Sequence, residues 1–300
     1  MLLVSLLAFS IVRIVPGDVV MLMLAEIGNI TPEQLATIRA DMGLDRPFLQ
    51  QFVIWLGGVV QGDLGKSIWT GRSVGLELLR TIPVTGELAI LSMSVALLIA
   101  IPIGILSAVR RNTLLDYGGR FFAIVGLSVP EFAVATIALL LLSLYVGWIP
   151  SLIYVPLWQE PLRNLGTMVL PSLILGFSLS AVIMRMTRSA MLEVLHEDYI
   201  RTAYSKGLAE RVIIFRHALK NAFIPIITLI GIQARRLIGS TVVIETIFAI
   251  PGIGRLTIDA LLNRDYTQLQ GCILLIALSV VVINLVVDLS YACFDPRIHY

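Results

Sequence analysis

From Leu88 to Val109 the chain runs for 22 residues without a charged side chain. Coiled as an α-helix, such a run reaches about 33 Å at the usual rise per residue. That is enough to cross the ~30 Å hydrocarbon core of a bilayer. Three more charge-free windows follow: Phe132–Gln159, Asn164–Met184 and Tyr266–Val287, of 28, 21 and 22 residues. In the second, Phe132–Val146 is the solid apolar part, and Phe121–Glu131 extends it upstream. Alternating strand patterns of the barrel type are not seen, so the runs are read as helices. The chain is 57% hydrophobic and 14% charged, against ~45–50% and ~25% in soluble domains. A net charge of +2 leaves no basis for bulk nucleic-acid binding. Cys272 and Cys293 form neither a disulfide framework nor a zinc pattern. The sequence specifies an all-α polytopic membrane protein.

Two further segments are irregular. Leu2–Val15 is apolar apart from Arg13 and short of a full crossing. It is read as a first span, residues 1–16, whose start is clipped. The stretch 222–250 is apolar except for Arg235, Arg236 and Glu245. Two adjacent arginines in lipid are costly. They must face protein, water or a headgroup, or the helix must break near Gly239. Six spans result, near 1–15, 84–109, 120–146, 165–187, 222–250 and 267–289. Basic residues outnumber acidic ones by two in 110–120 and by three in 185–220, whereas 17–83 has five basic against seven acidic. Under the positive-inside rule, both termini and both basic loops are expected to be cytoplasmic, with 17–83 outside.

The outer segment 17–83 is expected to be helical. Thr31-Pro32-Glu33-Gln34 combines a cap, a proline at the first helical position and a glutamine three residues after the cap. A second amphipathic stretch carries Phe48, Phe52, Trp55, Leu56 and Val59. Gly62-Asp63-Leu64-Gly65 marks a tight turn. Residues 84–300 then form a five-helix core.

The stretch 190–221 is the longest inner loop and reads as two short helices around Gly207. Tyr199, Ala203 and Tyr204 are placed on one face by the three-to-four spacing, with Ile213, Phe215 and Leu219 adding apolar contacts. A helical hairpin too small to be a domain suits docking onto a partner.

Asp198–Leu208, read DYIRTAYSKGL, resembles the cytoplasmic signature of binding-protein-dependent ABC transporter permeases of the dipeptide/oligopeptide/nickel branch. Pro16-Gly17-Asp18, Gly62–Ser67, His217–Ala222 with Pro225, and Glu245–Phe248 with Pro251-Gly252-Ile253-Gly254 fit the same family, so the resemblance covers nearly the whole chain. The long outer segment is similar to that of the first of the two homologous permeases. Arg201-Thr202-Ala203 stands where the general signature has Glu-Ala-Ala, and Arg235-Arg236 stands where relatives have small or apolar residues.

The resemblance implies the type I importer permease fold in a prokaryotic plasma membrane, and it implies partners. These are a homologous permease, two cytosolic ATPases that bind ATP and Mg, and an extracytoplasmic substrate-binding protein. It further implies a coupling segment, 194–206. Glu197, Asp198, Tyr199, Arg201, Thr202, Ala203, Lys206, Gly207 and Leu208 are the expected ATPase-coupling residues. Arg235, Arg236 and Glu245 are the expected translocation-path residues, with pairing of the arginines to Glu245 or Asp288 as the alternative. No catalytic residue, metal ligand or cofactor is expected in this chain. Gly65-Lys66-Ser67 lacks the upstream glycine of a phosphate-binding loop. The implied cargo is dipeptides or oligopeptides, with nickel chelates, glutathione or oligosaccharides as alternatives. A secondary transporter, the rival class, requires matching broken repeats, which are not found.

Overall fold

The computed structural model describes residues 2–14, 45–151 and 153–294. The expected helix start at Thr31–Gln34 and the Pro16-Gly17-Asp18 motif lie outside them. The helices are α1 (Leu2–Ile14), α2 (Phe48–Val60), α3 (Val74–Val109), α4 (Leu114–Ser128), α5 (Glu131–Val146), α6 (Pro161–Leu195), α7 (Asp198–Ser205), α8 (Glu210–Ile247), α9 (Ile253–Leu262) and α10 (Tyr266–Phe294). The chain divides into two compact units, residues 1–82 with 256–279 and residues 83–255 with 280–300.

In the first unit, Phe9 of α1 is wholly buried against α2. Its ring lies 5.4 Å from Phe48, 5.4 Å from Phe52 and 5.3 Å from Trp55, spacings at which aromatic pairs attract beyond simple burial. The turn after α2 uses Gly62 and Gly65 at φ 82° and 83°, a region that only glycine enters freely. Ser67 Oγ donates to the Asp265 carboxylate, and Ile68 N donates to it at 3.2 Å. Cys272 packs with Val74 and Leu78.

In the second unit α6 is the central helix. Met168, Leu175, Leu179, Ile183, Met184 and Met191 along it are buried. Helix association without an aqueous hydrophobic drive depends on close approach at small residues. Gly176 of α6 supplies one such point: a Cβ there would lie 2.6 Å from Val95.

Four helices, α3, α6, α8 and α10, are long and apolar enough to cross a membrane, and α4 with α5 makes a fifth crossing if the bent pair is counted as one. The expected six is therefore seen as four to five among the described residues. The helix of the expected first span runs 13 residues, about 20 Å at the helical rise. The expected single span 120–146 is broken by 93° between α4 and α5. The break falls at Pro130, which lacks an N–H and disfavours helical backbone at the residue before it. Val129 accordingly sits at φ −98°, ψ 122°. Of the alternatives open to Arg235–Arg236, the break near Gly239 does not occur. Helix α8 runs through them, and its irregular part is a π-helical stretch at Ile213–Ala218.

Candidate functional site

Helix α7 is eight residues long, too short to hold its shape unaided. Its inner face solves this. Ile200 and Ala203 are buried in a cluster with Met191 of α6, Ile105 and Ala108 of α3, and Ile213, Ala218 and Ala222 of α8. The buried face therefore runs through Ile200 and Ala203, not through the expected set of Tyr199, Ala203 and Tyr204. Tyr199 and Tyr204 point outward, as do Glu197, Asp198, Arg201, Thr202, Lys206 and Leu208. Tyr199 is tethered, because its hydroxyl accepts from Asn221 Nδ2 at 2.7 Å. The Arg201–Asp198 pair at 3.4 Å is exposed and contributes little to stability. Gly207 at φ 73° turns the chain out of α7. The result is a small helix with a fixed inner face and a free outer face carrying both charges and aromatic rings. Phe215, expected to add to the packing, is exposed instead.

The α4–α5 bend opens a cleft of about 380 Å³. Glu131, Ser178, Arg236 and Ser240 line it together with apolar side chains. Ser178 Oγ donates to Glu131 Oε1 at 3.0 Å. Arg236 is exposed and Arg235 donates to Asn284 at 3.0 Å. Among the described residues, neither arginine makes the bond to Glu245 that was expected as an alternative.

Glu245 is not in that cleft. It is wholly buried, in the last turn of α8. Thr85 Oγ1 donates to it at 2.6 Å and Arg255 N at 3.1 Å. Thr85 Oγ1 in turn accepts from Ile253 N at 2.8 Å. A Cβ on Gly252 would collide with the Glu245 carboxylate, and one on Gly254 with Val242 and that carboxylate. The Pro251-Gly252-Ile253-Gly254 motif is thus the lid over a buried acid. An acid in an apolar run followed by two glycines at alternate positions was the available sign.

A second buried acid is Asp116, at 0% exposure, the one acidic residue of the stretch 110–120. It accepts from Ser107 Oγ at 2.6 Å and Asn112 N at 3.0 Å. Arg120 Nη2 reaches it at 2.6 Å, and Arg188 donates through Nε at 2.7 Å and Nη2 at 3.0 Å. This node joins the end of α3, the start of α4 and α6. Outside the spans, Tyr154 donates to Glu87 Oε2 at 2.6 Å. Burial, then the Glu87 bond and charge, hold the Tyr154 hydroxyl above the ordinary phenol range. Among the described residues no group of three or more His, Cys, Asp or Glu could hold a metal ion.

Residues 100–300 match the family model "Binding-protein-dependent transport system inner membrane component", and residues 1–85 match its N-terminal companion. The dipeptide transport system permease protein DppB of Escherichia coli K12 is 39% identical over 320 residues, covering 99% of this chain and 94% of that protein. The di/tripeptide transport system permease protein DppB of Pseudomonas aeruginosa is 39% identical over 317 residues, with 99% and 94% covered. Among solved structures, a chain of the inward-facing MetNI methionine ABC transporter superposes with a TM-score of 0.58 at 18% identity, covering 73% of this chain and 96% of that one. That likeness shows the fold, the type I ABC-importer permease architecture.

Proposed function

The chain belongs to the inner membrane components of binding-protein-dependent transport systems, and from that premise we propose that it is the pore-forming subunit of an ATP-driven importer of dipeptides or oligopeptides. The names of the relatives support peptides as cargo. The partners are a homologous permease across the pore, two cytosolic ATPases and an extracytoplasmic binding protein. Both termini and the loop 190–221 are cytoplasmic, and 17–83 is outside.

The observation that carries the reading is α7. Its inner face is locked to α3, α6 and α8 and its outer face is free, so a push on it moves the spans. Glu197, Asp198, Tyr199, Arg201, Thr202, Lys206, Gly207 and Leu208 meet the ATPase. Ala203 acts from beneath by fixing the helix. ATPase closure then drives alternation between inward- and outward-open forms, and ATP and Mg stay with the ATPases. Arg235 and Arg236 stand on the translocation path. The exposure of Arg236 in the cleft at the bend supports this, and Glu245 serves that path by holding the adjoining segment in place.

Cysteine substituted at Tyr204 tests the docking surface in the assembled complex. Crosslinking to the ATPase subunit, lost when nucleotide and ATPase are omitted, is the expected result. Efficient labelling of that cysteine from outside intact cells overturns it.

A further inference from the structure

Four arginines, Arg111, Arg120, Arg185 and Arg188, line one cavity of about 550 Å³ between the start of α4 and the last turns of α6. The neighbouring acid is Asp116, and it is already committed to Arg120 and Arg188. Arg111 and Arg185 have no hydrogen bond or ion pair among the described residues. The cavity therefore carries an excess of positive charge that no side chain in it offsets. Guanidinium groups gathered in this way match the oxygens of a phosphate.

The rest of the lining is apolar and includes Ile124, Leu127 and Leu192. Ile124 is 61% exposed and continues onto Phe121 at 69%. One wall is thus a cationic rim and the other an apolar strip along α4. That is the profile of a phospholipid, with its phosphate at the rim and an acyl chain along α4. We propose that this cavity binds the phosphodiester headgroup of an anionic phospholipid at the membrane surface nearest α7. Basic pockets between spanning helices take such headgroups. A free phosphate uses the same rim but leaves the apolar strip unfilled. Leu192 lines the cavity and also packs in the cluster under α7, so the bound lipid steadies the platform that carries α7.

The test is native mass spectrometry of the purified full chain in neutral detergent, titrated separately with phosphatidylglycerol, phosphatidylcholine and inorganic phosphate. Phosphatidylglycerol is expected to bind about tenfold or more tightly than phosphatidylcholine. The double variant Arg111→Gln with Arg185→Gln is expected to lose that preference, and Arg111→Lys with Arg185→Lys to keep it. Neither pair of changes removes a hydrogen bond, and circular dichroism confirms the fold of both. Equal binding of the two lipids by the wild-type chain overturns the site. So does an undiminished preference in the glutamine variant. Displacement of phosphatidylglycerol by millimolar inorganic phosphate overturns the lipid assignment in favour of a soluble anion.

Discussion

Replacing Asp116 by asparagine removes a charge while keeping the shape, so it isolates the electrostatics of the node joining α3, α4 and α6. The carboxylate accepts from Ser107, Asn112, Arg120 and Arg188 at 2.6–3.2 Å. An asparagine offers one accepting oxygen, and its NH₂ confronts guanidinium N–H groups that also donate. The Arg188 side chain is only 18% exposed, so water compensates it poorly once the charge is gone. Breaking a buried pair by removing one partner costs about 3–5 kcal/mol. Arg120 is 42% exposed and regains water, which places the expectation for Asp116→Asn near the lower end, about 3 kcal/mol. The assay is reversible unfolding of the chain in mixed micelles as the fraction of denaturing detergent rises. Asp116→Asn is compared with Arg188→Met and the double variant. Pairwise coupling of at least about 1.5 kcal/mol is expected, with the double variant less destabilised than the sum of the two single changes. A loss below about 0.5 kcal/mol for Asp116→Asn, the range of ordinary surface substitutions, would refute the view of Asp116 as the fastener of these three helices.

Gly252→Ala places a methyl group against the Glu245 carboxylate; overpacking of this kind costs about 1–3 kcal/mol, read as a lower midpoint in the same unfolding assay. Arg201→Glu and Lys206→Glu on the outer face of α7 are expected to leave that midpoint within about 0.5 kcal/mol while lowering transport-coupled ATP hydrolysis in the reconstituted complex. Pro130→Ala restores an N–H at the bend, and electron-spin distances between labels on α4 and α5 should lengthen as the pair straightens. Tyr154 titrates above its unfolded value of about 10. Its contribution is therefore complete below that pH and declines as pH rises past it, so alkaline unfolding of Tyr154→Phe should show a shallower fall than the wild-type chain.

The order of apolar runs and the short helix at Asp198–Ser205 were legible in the sequence because both are local. A charge-free run of twenty-odd residues has few alternatives to a membrane helix, and Asp198–Leu208 holds its charges and glycine within one short stretch. Pro130 by itself did not announce the break, because Pro83, Pro102, Pro171 and Pro225 lie inside continuous helices; the 93° angle required neighbours. The face of α7 was not legible. Tyr199 and Ile200 suit burial about equally in isolation, and the cluster formed by α3, α6 and α8 selected Ile200.

The long-range partners of the buried acids belonged to the tertiary structure alone. Asp116 and Arg188 are 72 residues apart and Thr85 and Glu245 160 apart, and neither distance leaves a periodicity to read. The sequence by itself determined that this chain lives in a bilayer and where along it the long apolar runs lie. Which acids are buried, which arginines remain uncommitted, and which side of α7 faces outward were decided only by packing. Burial and ion pairing depend on what the fold brings alongside a residue, not on the residues next to it in the chain.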